Sequence, residues 1–139
     1  MDKPIITDNT MVIPSNQEYL SDVDIFIEGS LRGFGASESI IADIAISVSE
    51  LVNNAILHGN KSSVSKRVTV KLVKSNGSVT ISVSDQGDGF QAEEVADPVA
   101  DENLLREVGR GIFIVRALMD KVDIESSTIG TTISITKAI

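Results

Sequence analysis

Hydrophobic residues recur along this chain with two periods, and each period predicts a different element. Over residues 16–31 and again from Ser37 to Gly59, apolar side chains return every three or four positions, which predicts two amphipathic helices. A third helix is predicted over residues 111–120. Strands are predicted over residues 11–14, 66–74, 79–84, 122–125 and 131–135.

Turn chemistry sets the boundaries between these elements. Ser37 is a suitable N-cap for the second helix, and Gly59 is the residue expected just beyond its end. The dipeptide Asn76-Gly77 predicts a tight hairpin between two of the strands. The last hairpin is predicted to turn through residues 126–130. Residues 91–108 are polar, acidic and weakly patterned, which predicts a long mobile loop, either functional or disordered, with at most a turn or two of helix.

The composition fits one domain. With 139 residues, the chain can bury roughly two thirds of its unfolded surface in a single core. We assign residues 1–10 to a polar N-terminal segment and residues 11–139 to that domain. Aromatic residues are only 4% of the chain, so the core must be built from aliphatic side chains. The absence of cysteine excludes disulfides and thiolate chemistry, and one histidine excludes a multi-imidazole zinc site.

Charge and hydropathy narrow the partners. A net charge of −8 argues against nucleic-acid binding. It is compatible with a protein partner that has a basic surface, and equally with a charge that serves only to keep the protein soluble. We find no run of apolar residues that approaches the ~18 required for a membrane-spanning helix, so no membrane contact is expected. No signal-like segment follows Met1, and a cytoplasmic protein is expected.

Candidate chemistry begins near the end of the second predicted helix. Glu50 and Asn54 are four residues apart, so they project from the same face of a helix. A carboxylate can accept a proton from a hydroxyl, and a carboxamide oxygen can bind Mg²⁺. A polar strip on a half-buried helix is also ordinary, and Asn53 is an alternative ligand further from the apolar stripe. His58 is read as a last-turn residue favoured by the helix dipole rather than as a catalytic base.

A glycine-rich segment follows the strand over residues 79–84. Continuing the alternation of that strand places Asp85 on the inward side, where a carboxylate requires a hydrogen-bond donor. Gly87 and Gly89 allow close backbone approach to a flat ligand. Taken alone, such a segment is more often a simple turn. An inward carboxylate could nevertheless accept the amino group of adenine, assisted by the hydroxyl of Thr131 on a neighbouring strand.

A second pair of glycines, Gly109 and Gly111, precedes the third predicted helix. A helix N-terminus offers free N–H donors and a favourable dipole to phosphate. An ordinary flexible helix start gives the same pattern. Arg106 and Arg110 flank the glycines and could reach a γ-phosphate, or they could be solvated loop charges.

Together these motifs resemble those of the GHKL ATPase superfamily. Its N-box, G1 and G2 motifs match residues 50–54, 85–89 and 109–111, in that order. Within the superfamily the chain is similar to the anti-sigma-factor serine kinases of bacterial partner-switching systems, through residues 54–59 and 111–120 in particular.

This resemblance implies an α+β fold of the Bergerat type, a two-layer α/β sandwich. Its mostly antiparallel mixed sheet would carry about three helices on one face, with ATP held between the sheet, the long helix and a lid. Glu50 would be the general base and Asn54 the Mg²⁺ ligand. Asp85 with Thr131 would read adenine, Gly87 and Gly89 would shape the base pocket, and the phosphates would lie against Gly109, Arg110 and Gly111.

The function implied by the resemblance is an ATP- and Mg²⁺-dependent serine kinase. Its acceptor would be a serine of a STAS-type anti-sigma-factor antagonist, and the kinase would be a homodimer that also binds a sigma factor. The alternative is a non-catalytic, ATP-gated binding module of the same fold. The catalytic domain of a sensor histidine kinase is disfavoured, because no phosphoacceptor helical hairpin precedes the only histidine, His58.

Overall fold

The computed structural model describes residues 3–88 and 102–139, with only the backbone described for residues 102–107. The described strands form one six-stranded sheet in the order β1-β2-β3-β4-β6-β5, and every pairing is antiparallel. The strands are β1 (Ile5–Thr7), β2 (Thr10–Pro14), β3 (Arg67–Ser75), β4 (Ser78–Ser84), β5 (Lys121–Ser127) and β6 (Gly130–Ala138).

Three α-helices are present in the described residues: α1 (Leu20–Gly33), α2 (Glu38–Asn54) and α3 (Glu102–Leu118). Ser37 caps α2 as predicted, since its Oγ accepts the Ile40 N–H at 3.3 Å. The helix continues beyond Asn54 as a π-helical turn (Ala55–Gly59), a feature often found at functional sites.

The helices pack on one face of the sheet and enclose an aliphatic core. Alternate residues of β3 and β4 are buried, as the period-two pattern predicted. Fully buried core side chains include Ile13, Ile27, Leu31, Ile44, Val48, Leu51, Val70, Ile81, Val115 and Ile135. The predicted class, an α+β two-layer sandwich with helices on one face, is confirmed.

Helix α2 lies at the centre of this core. The 22-residue stretch Glu38–Gly59 has a mean hydropathy of 1.6, so by length and composition it could span a membrane, contrary to the sequence-based expectation. Half of the stretch is buried inside the protein, however, which explains its apolar composition by packing. The helix is apolar because it faces the sheet on one side and neighbouring helices on the other.

Several boundaries differ from those predicted. Residues 5–7, assigned to a polar segment, form the edge strand β1 because they can pair with β2. The hairpin at Asn76-Gly77 is confirmed, but the last hairpin turns through only residues 128–129 because β5 and β6 extend further than the apolar pattern indicated. Helix α3 begins at Glu102, so residues 102–108 are helical rather than part of a loop.

Candidate nucleotide site

One cluster forms around Asp85, where β4 ends beside β6. The Asp85 N–H donates to the Thr131 carbonyl at 2.9 Å, which continues the β4–β6 ladder by one residue. Asp85 Oδ1 then accepts two backbone N–H groups, from Gly87 at 2.9 Å and from Thr131 at 3.1 Å. These bonds supply the donors that an inward carboxylate requires and fix its orientation.

The second carboxylate oxygen of Asp85 lies against Gly59. A methyl group built on Gly59 would be only 2.2 Å from Asp85 Oδ2, closer than any real side-chain carbon approaches an oxygen. Gly59 ends the π-helical turn, so the end of the long helix and the residue after β4 meet at this point. The structure therefore brings together two segments that are distant in sequence, with one carboxylate oxygen bonded to the backbone and the other beside a glycine.

Two further glycines permit this close approach. A methyl group on Gly87 would lie 1.9 Å from the Gly59 carbonyl oxygen, and one on Gly130 would lie 2.3 Å from the Asp85 carbonyl oxygen. Gly130 also has φ of +152°, which disfavours other residues. Both contacts are with backbone atoms, which cannot move aside as a flexible side chain can.

Burial also affects the acidity of Asp85. Desolvation raises the pKa of its carboxyl above the ordinary value of 3.8, and this effect exceeds the opposing effects of the two backbone donors and of Lys66. A cavity of about 490 Å³ adjoins the same residue and is lined mainly by the β5–β6 hairpin, including Glu125, Ser126 and Gly130. That volume lies within the usual range for small-molecule sites. The described residues that line it do not include Gly59, and Glu125 is exposed, so this cavity opens toward solvent beside Asp85.

Thr131 contributes differently from the prediction. Its side chain is 3% exposed and shares the inward parity of β6, as expected. Its hydroxyl, however, lies 2.9 Å from Ser126 Oγ, so the contact with Asp85 is made by the Thr131 backbone N–H.

A second cluster lies one to two turns earlier on α2. A methyl group on Gly111 would lie 2.9 Å from Asn54 Nδ2 and 3.2 Å from Glu50 Oε2, so the backbone of α3 passes directly over these two side chains. Gly111 is buried, while Glu50 and Asn54 are half-buried. The structure thus assembles the carboxylate, the carboxamide and the glycine that the sequence motifs singled out.

Asn54 is distinctive within this cluster. Its Nδ2 atom is buried and, in the described part of the chain, has no hydrogen-bond partner. A buried amide without a partner costs about 1–3 kcal/mol. Nitrogen and oxygen of an amide exchange places on rotation of the group, so this position can present either a donor or an acceptor to a bound ligand. Such an amide fits a single protein ligand to a hard cation whose remaining ligands are phosphate and water oxygens.

The glycine pair before the third helix requires a correction. Gly109 and Gly111 lie inside α3 rather than ahead of it, because the helix starts at Glu102. Their N–H groups are therefore not those of a helix N-terminus, and the expected terminus-to-phosphate contact is absent from the described residues. Gly109 is half-buried and the Arg110 side chain is exposed. Gly89 and the side chain of Arg106 lie outside the described residues.

Sequence reasoning missed Asn60 and Gln86. The Asn60 side chain is 1% exposed and accepts the Gln86 N–H at 2.7 Å. Gln86 Oε1 in turn accepts the Arg67 N–H at 2.7 Å. The available signal was the position of these residues directly after Gly59 and Asp85, but no periodicity or motif marked them.

Two comparisons of the sequence with known proteins identify the family of this chain. Residues 13–137 match the family of histidine kinase-like ATPase domains. The chain is similar to the serine-protein kinase RsbW of Staphylococcus aureus, with 34% identity over 136 residues that cover 93% of this chain and 85% of the relative.

Solved structures share the fold. The RsbU and RsbW domains of a Mycobacterium tuberculosis protein align with a TM-score of 0.71 and 24% identity, over 97% of this chain and 31% of that one. The structure of the SiaB–SiaC complex from Pseudomonas aeruginosa aligns with a TM-score of 0.61 and 12% identity, over 99% of this chain and 90% of that one.

Proposed function

This chain belongs to the histidine kinase-like ATPase family and is an ATP-dependent serine-protein kinase, and we propose that it phosphorylates a serine of a STAS-type anti-sigma-factor antagonist. The observation that carries the assignment of its site is the course of α2 and its π-helical turn. Within ten residues this segment supplies Glu50, Asn54 and Gly59 to two clusters, one suited to phosphates and one suited to a base.

Base recognition is assigned to the Asp85 cluster. Because Oδ1 is occupied by two backbone donors, Oδ2 is the oxygen left to accept the exocyclic amino group of adenine. Gly59 keeps a side chain away from that oxygen, and Gly87 packs against the carbonyl oxygen of Gly59. Guanine presents a carbonyl oxygen at the corresponding position, so the same carboxylate would repel it. Gly89 is assigned to the same pocket from its motif.

Magnesium and the phosphates are assigned to the Glu50–Asn54–Gly111 cluster. The Asn54 amide, whose nitrogen has no hydrogen-bond partner among the described residues, would hold Mg²⁺, which supplies charge neutralisation to the phosphates when bound. Gly111 leaves room beside that amide, Gly109 is assigned to the phosphates from its motif, and Arg110 provides a positive charge at the exposed edge. This arrangement suits phosphoryl transfer, which depends mostly on positioning and electrostatics.

Glu50 is the proposed general base. The acceptor serine Oγ would form a bond to the γ-phosphorus while the bond from that phosphorus to the β,γ-bridging oxygen breaks, releasing ADP. The proton of the serine hydroxyl would pass to the Glu50 carboxylate. Glu50 is half-buried on α2, close enough to Gly111 to lie at the phosphate end of the site.

The biological setting is proposed on the same basis. We expect a cytoplasmic homodimer that also binds a sigma factor, as the resemblance to the anti-sigma-factor serine kinases implies. The edge strand β1 supports self-association, since Ile5 and Ile6 are 53% and 57% exposed at the outer edge of the sheet that the described residues form. Light scattering of the purified protein measures this directly, and a monomer at micromolar concentration would contradict it.

The kinase assignment is tested with γ-labelled ATP, Mg²⁺ and the STAS-type proteins of the same genome. Transfer of label to a serine, lost in Glu50→Ala, is the expected result. Tight ATP binding without transfer to any of these proteins would instead identify the non-catalytic, ATP-gated module. Serine-to-alanine variants of the acceptor serve as the control for the site of labelling.

A further inference from the structure

A buried polar residue, Asn60, links the base pocket to the start of the sheet. Asn60 follows the π-helical turn directly and, like its partner Ser15, is 1% exposed. A buried amide is costly unless its hydrogen bonds are made. The partners of this side chain therefore indicate what the residue holds in place.

The Asn60 side chain bonds three separate segments. Its Nδ2 donates to Ser15 Oγ at 2.8 Å and to the Arg67 carbonyl at 3.0 Å, and its Oδ1 accepts the Gln86 N–H at 2.7 Å. Ser15 Oγ in turn donates a hydrogen bond to the Lys66 carbonyl at 2.7 Å. Both amide protons and the amide oxygen are thus used, at the ends of β2 and β3 and in the segment after β4.

The contact with Gln86 matters because this residue immediately follows Asp85. Asp85 is held by its own bonds to Thr131 and Gly87 on one side, and the next peptide is held by Asn60 on the other. Asn60 therefore fixes the direction in which the chain leaves Asp85, and with it the position of Gly87 against Gly59.

The backbone after Asn60 is strained in a way that this network can maintain. Lys61 and Ser62 both have left-handed φ values, 51° and 57°, which are costly for residues other than glycine. The turn is closed by bonds from the Asn60 N–H to Ala55 O at 2.8 Å and from the Ser62 N–H to Ile56 O at 2.7 Å. Such conformations persist where the surrounding contacts determine them.

We propose that Asn60 is a positioning residue for base specificity, which acts through the Gln86 peptide to hold Asp85 Oδ2 beside Gly59. The proposal rests on the assignment of Asp85 to adenine recognition. Asn60 acts through the backbone and does not contact the nucleotide. Its loss should therefore change the ratio of the affinities for ATP and GTP.

The test compares Asn60→Ala, Asn60→Asp and Ser15→Ala with the wild-type protein. Isothermal titration with ATP and with GTP, in Mg²⁺, gives the ratio of the two affinities, and thermal melting gives stability. Asn60→Ala should reduce the ATP-to-GTP affinity ratio by roughly tenfold, the scale of losing a buried hydrogen bond. Asn60→Asp keeps an acceptor for the Gln86 N–H and should retain most of the ratio, even though its carboxylate faces the Arg67 carbonyl and lowers the melting temperature.

Ser15→Ala is the matched control, since it removes a buried member of the same network without touching Gln86. It should lower the melting temperature and leave the nucleotide ratio unchanged. Hydrogen exchange followed by NMR adds a readout that needs no nucleotide: the Gln86 amide should exchange faster in Asn60→Ala and remain protected in Asn60→Asp.

An unchanged ATP-to-GTP ratio in a folded Asn60→Ala protein, with a lowered melting temperature, would show a purely structural role and overturn the proposal. If Asn60→Ala does not fold, Asn60→Asp provides the test. An ATP-to-GTP affinity ratio in Asn60→Asp as low as that of Asp85→Asn, a variant that lacks the Asp85 carboxylate, would contradict the expected rescue and overturn the proposal. Failure of the wild-type protein to bind ATP would instead overturn the assignment of the nucleotide site. The experiment therefore distinguishes failure of the Asn60 proposal from failure of the proposed function.

Discussion

The two ends of the candidate site differ in how far the protein completes them by itself. Around Asp85, backbone donors occupy one carboxylate oxygen, glycines pack against backbone atoms, and Asn60 fixes the next peptide. Around Glu50 and Asn54, an amide nitrogen is buried with no partner in the described part of the chain. The proposed base end is preorganised, whereas the proposed phosphate end carries a polar group that its ligands would satisfy.

This contrast has a physical reason. A base is recognised by a few directional hydrogen bonds, which reward a rigid pocket because little ordering is needed on binding. Phosphates and a cation bring strong charges of their own, so the protein needs only a few groups oriented toward them. We therefore expect substitutions at the base end to change affinity and those at the phosphate end to change catalysis.

The largest expected effect is at Glu50. Glu50→Gln should lower the rate of phosphoryl transfer by about 10²–10⁴-fold, the contribution of a general base, while ATP affinity stays near that of the wild type. Single-turnover transfer and nucleotide titration measure the two quantities separately. Glu38→Gln, at the exposed start of the same helix, is the control and should retain the rate. Equal losses of rate and affinity would remove the distinction between the two ends.

The next effect is steric and belongs to the base end. Gly59→Ala places a methyl group where Asp85 Oδ2 lies, so the carboxylate must move and ATP affinity should fall by roughly 10- to 100-fold. Gly29→Ala on α1, where a methyl group meets no atom within 4 Å, is the matched control and should bind ATP normally. A Gly59→Ala protein with wild-type affinity would exclude Asp85 from the adenine contact.

Asp85→Asn tests the proposed base end by removing the negative charge of the side chain while keeping its size. It should weaken ATP binding by about 1–3 kcal/mol, the scale of disturbing a hydrogen bond to a buried charge, and should narrow the preference for ATP over GTP. Isothermal titration with both nucleotides measures this change. Asp88→Asn, at an exposed position three residues further along, is the control. Unchanged affinity in Asp85→Asn would leave the base end without its proposed acceptor.

At the phosphate end, Asn54→Ala should separate function from stability. Removing the amide nitrogen, which has no partner in the part of the chain that the structure describes, relieves a buried polar cost of about 1–3 kcal/mol. This offsets the small cavity created, so the melting temperature of the nucleotide-free protein should not fall. Transfer activity should become far less responsive to added Mg²⁺. Asn53→Ala, whose amide instead accepts Gln17 Nε2 at 2.8 Å on the surface, should keep the Mg²⁺ response. The reverse result would assign the metal to Asn53.

The smallest effect concerns pH. Because burial raises the pKa of Asp85, the native protein holds this proton more tightly than the unfolded chain does. The stabilisation is fully present below the unfolded pKa and is lost as pH rises through the higher folded pKa. The free energy of unfolding of the wild type relative to Asp85→Asn should therefore decrease from acidic to neutral pH. Urea unfolding of both proteins across that range measures it, and a relative stability that increases with pH would contradict the raised pKa.

Much of the fold followed from local patterns. The alternation in β3 and β4 identified their buried faces, and Asn76-Gly77 located their turn, because both depend on neighbouring residues. The predicted start of α3 was wrong, and the edge strand β1 was not predicted. Both elements depend on contacts beyond their own local pattern. The same division holds in the site: Glu50 and Asp85 were visible in motifs, whereas Asn60 and Gln86 were not.

By itself the sequence determined the periodicities, the fold class and the residue types able to accept a proton, bind a hard cation or accept an amino group. These follow from side-chain chemistry and from spacing along one helix or strand. Only the tertiary structure decided that Gly59 lies against Asp85, that Gly111 passes over Asn54, and that Asn60 joins three segments. Such contacts depend on how α2 and its π-helical turn pack between α3 and the end of β4, which no local pattern encodes.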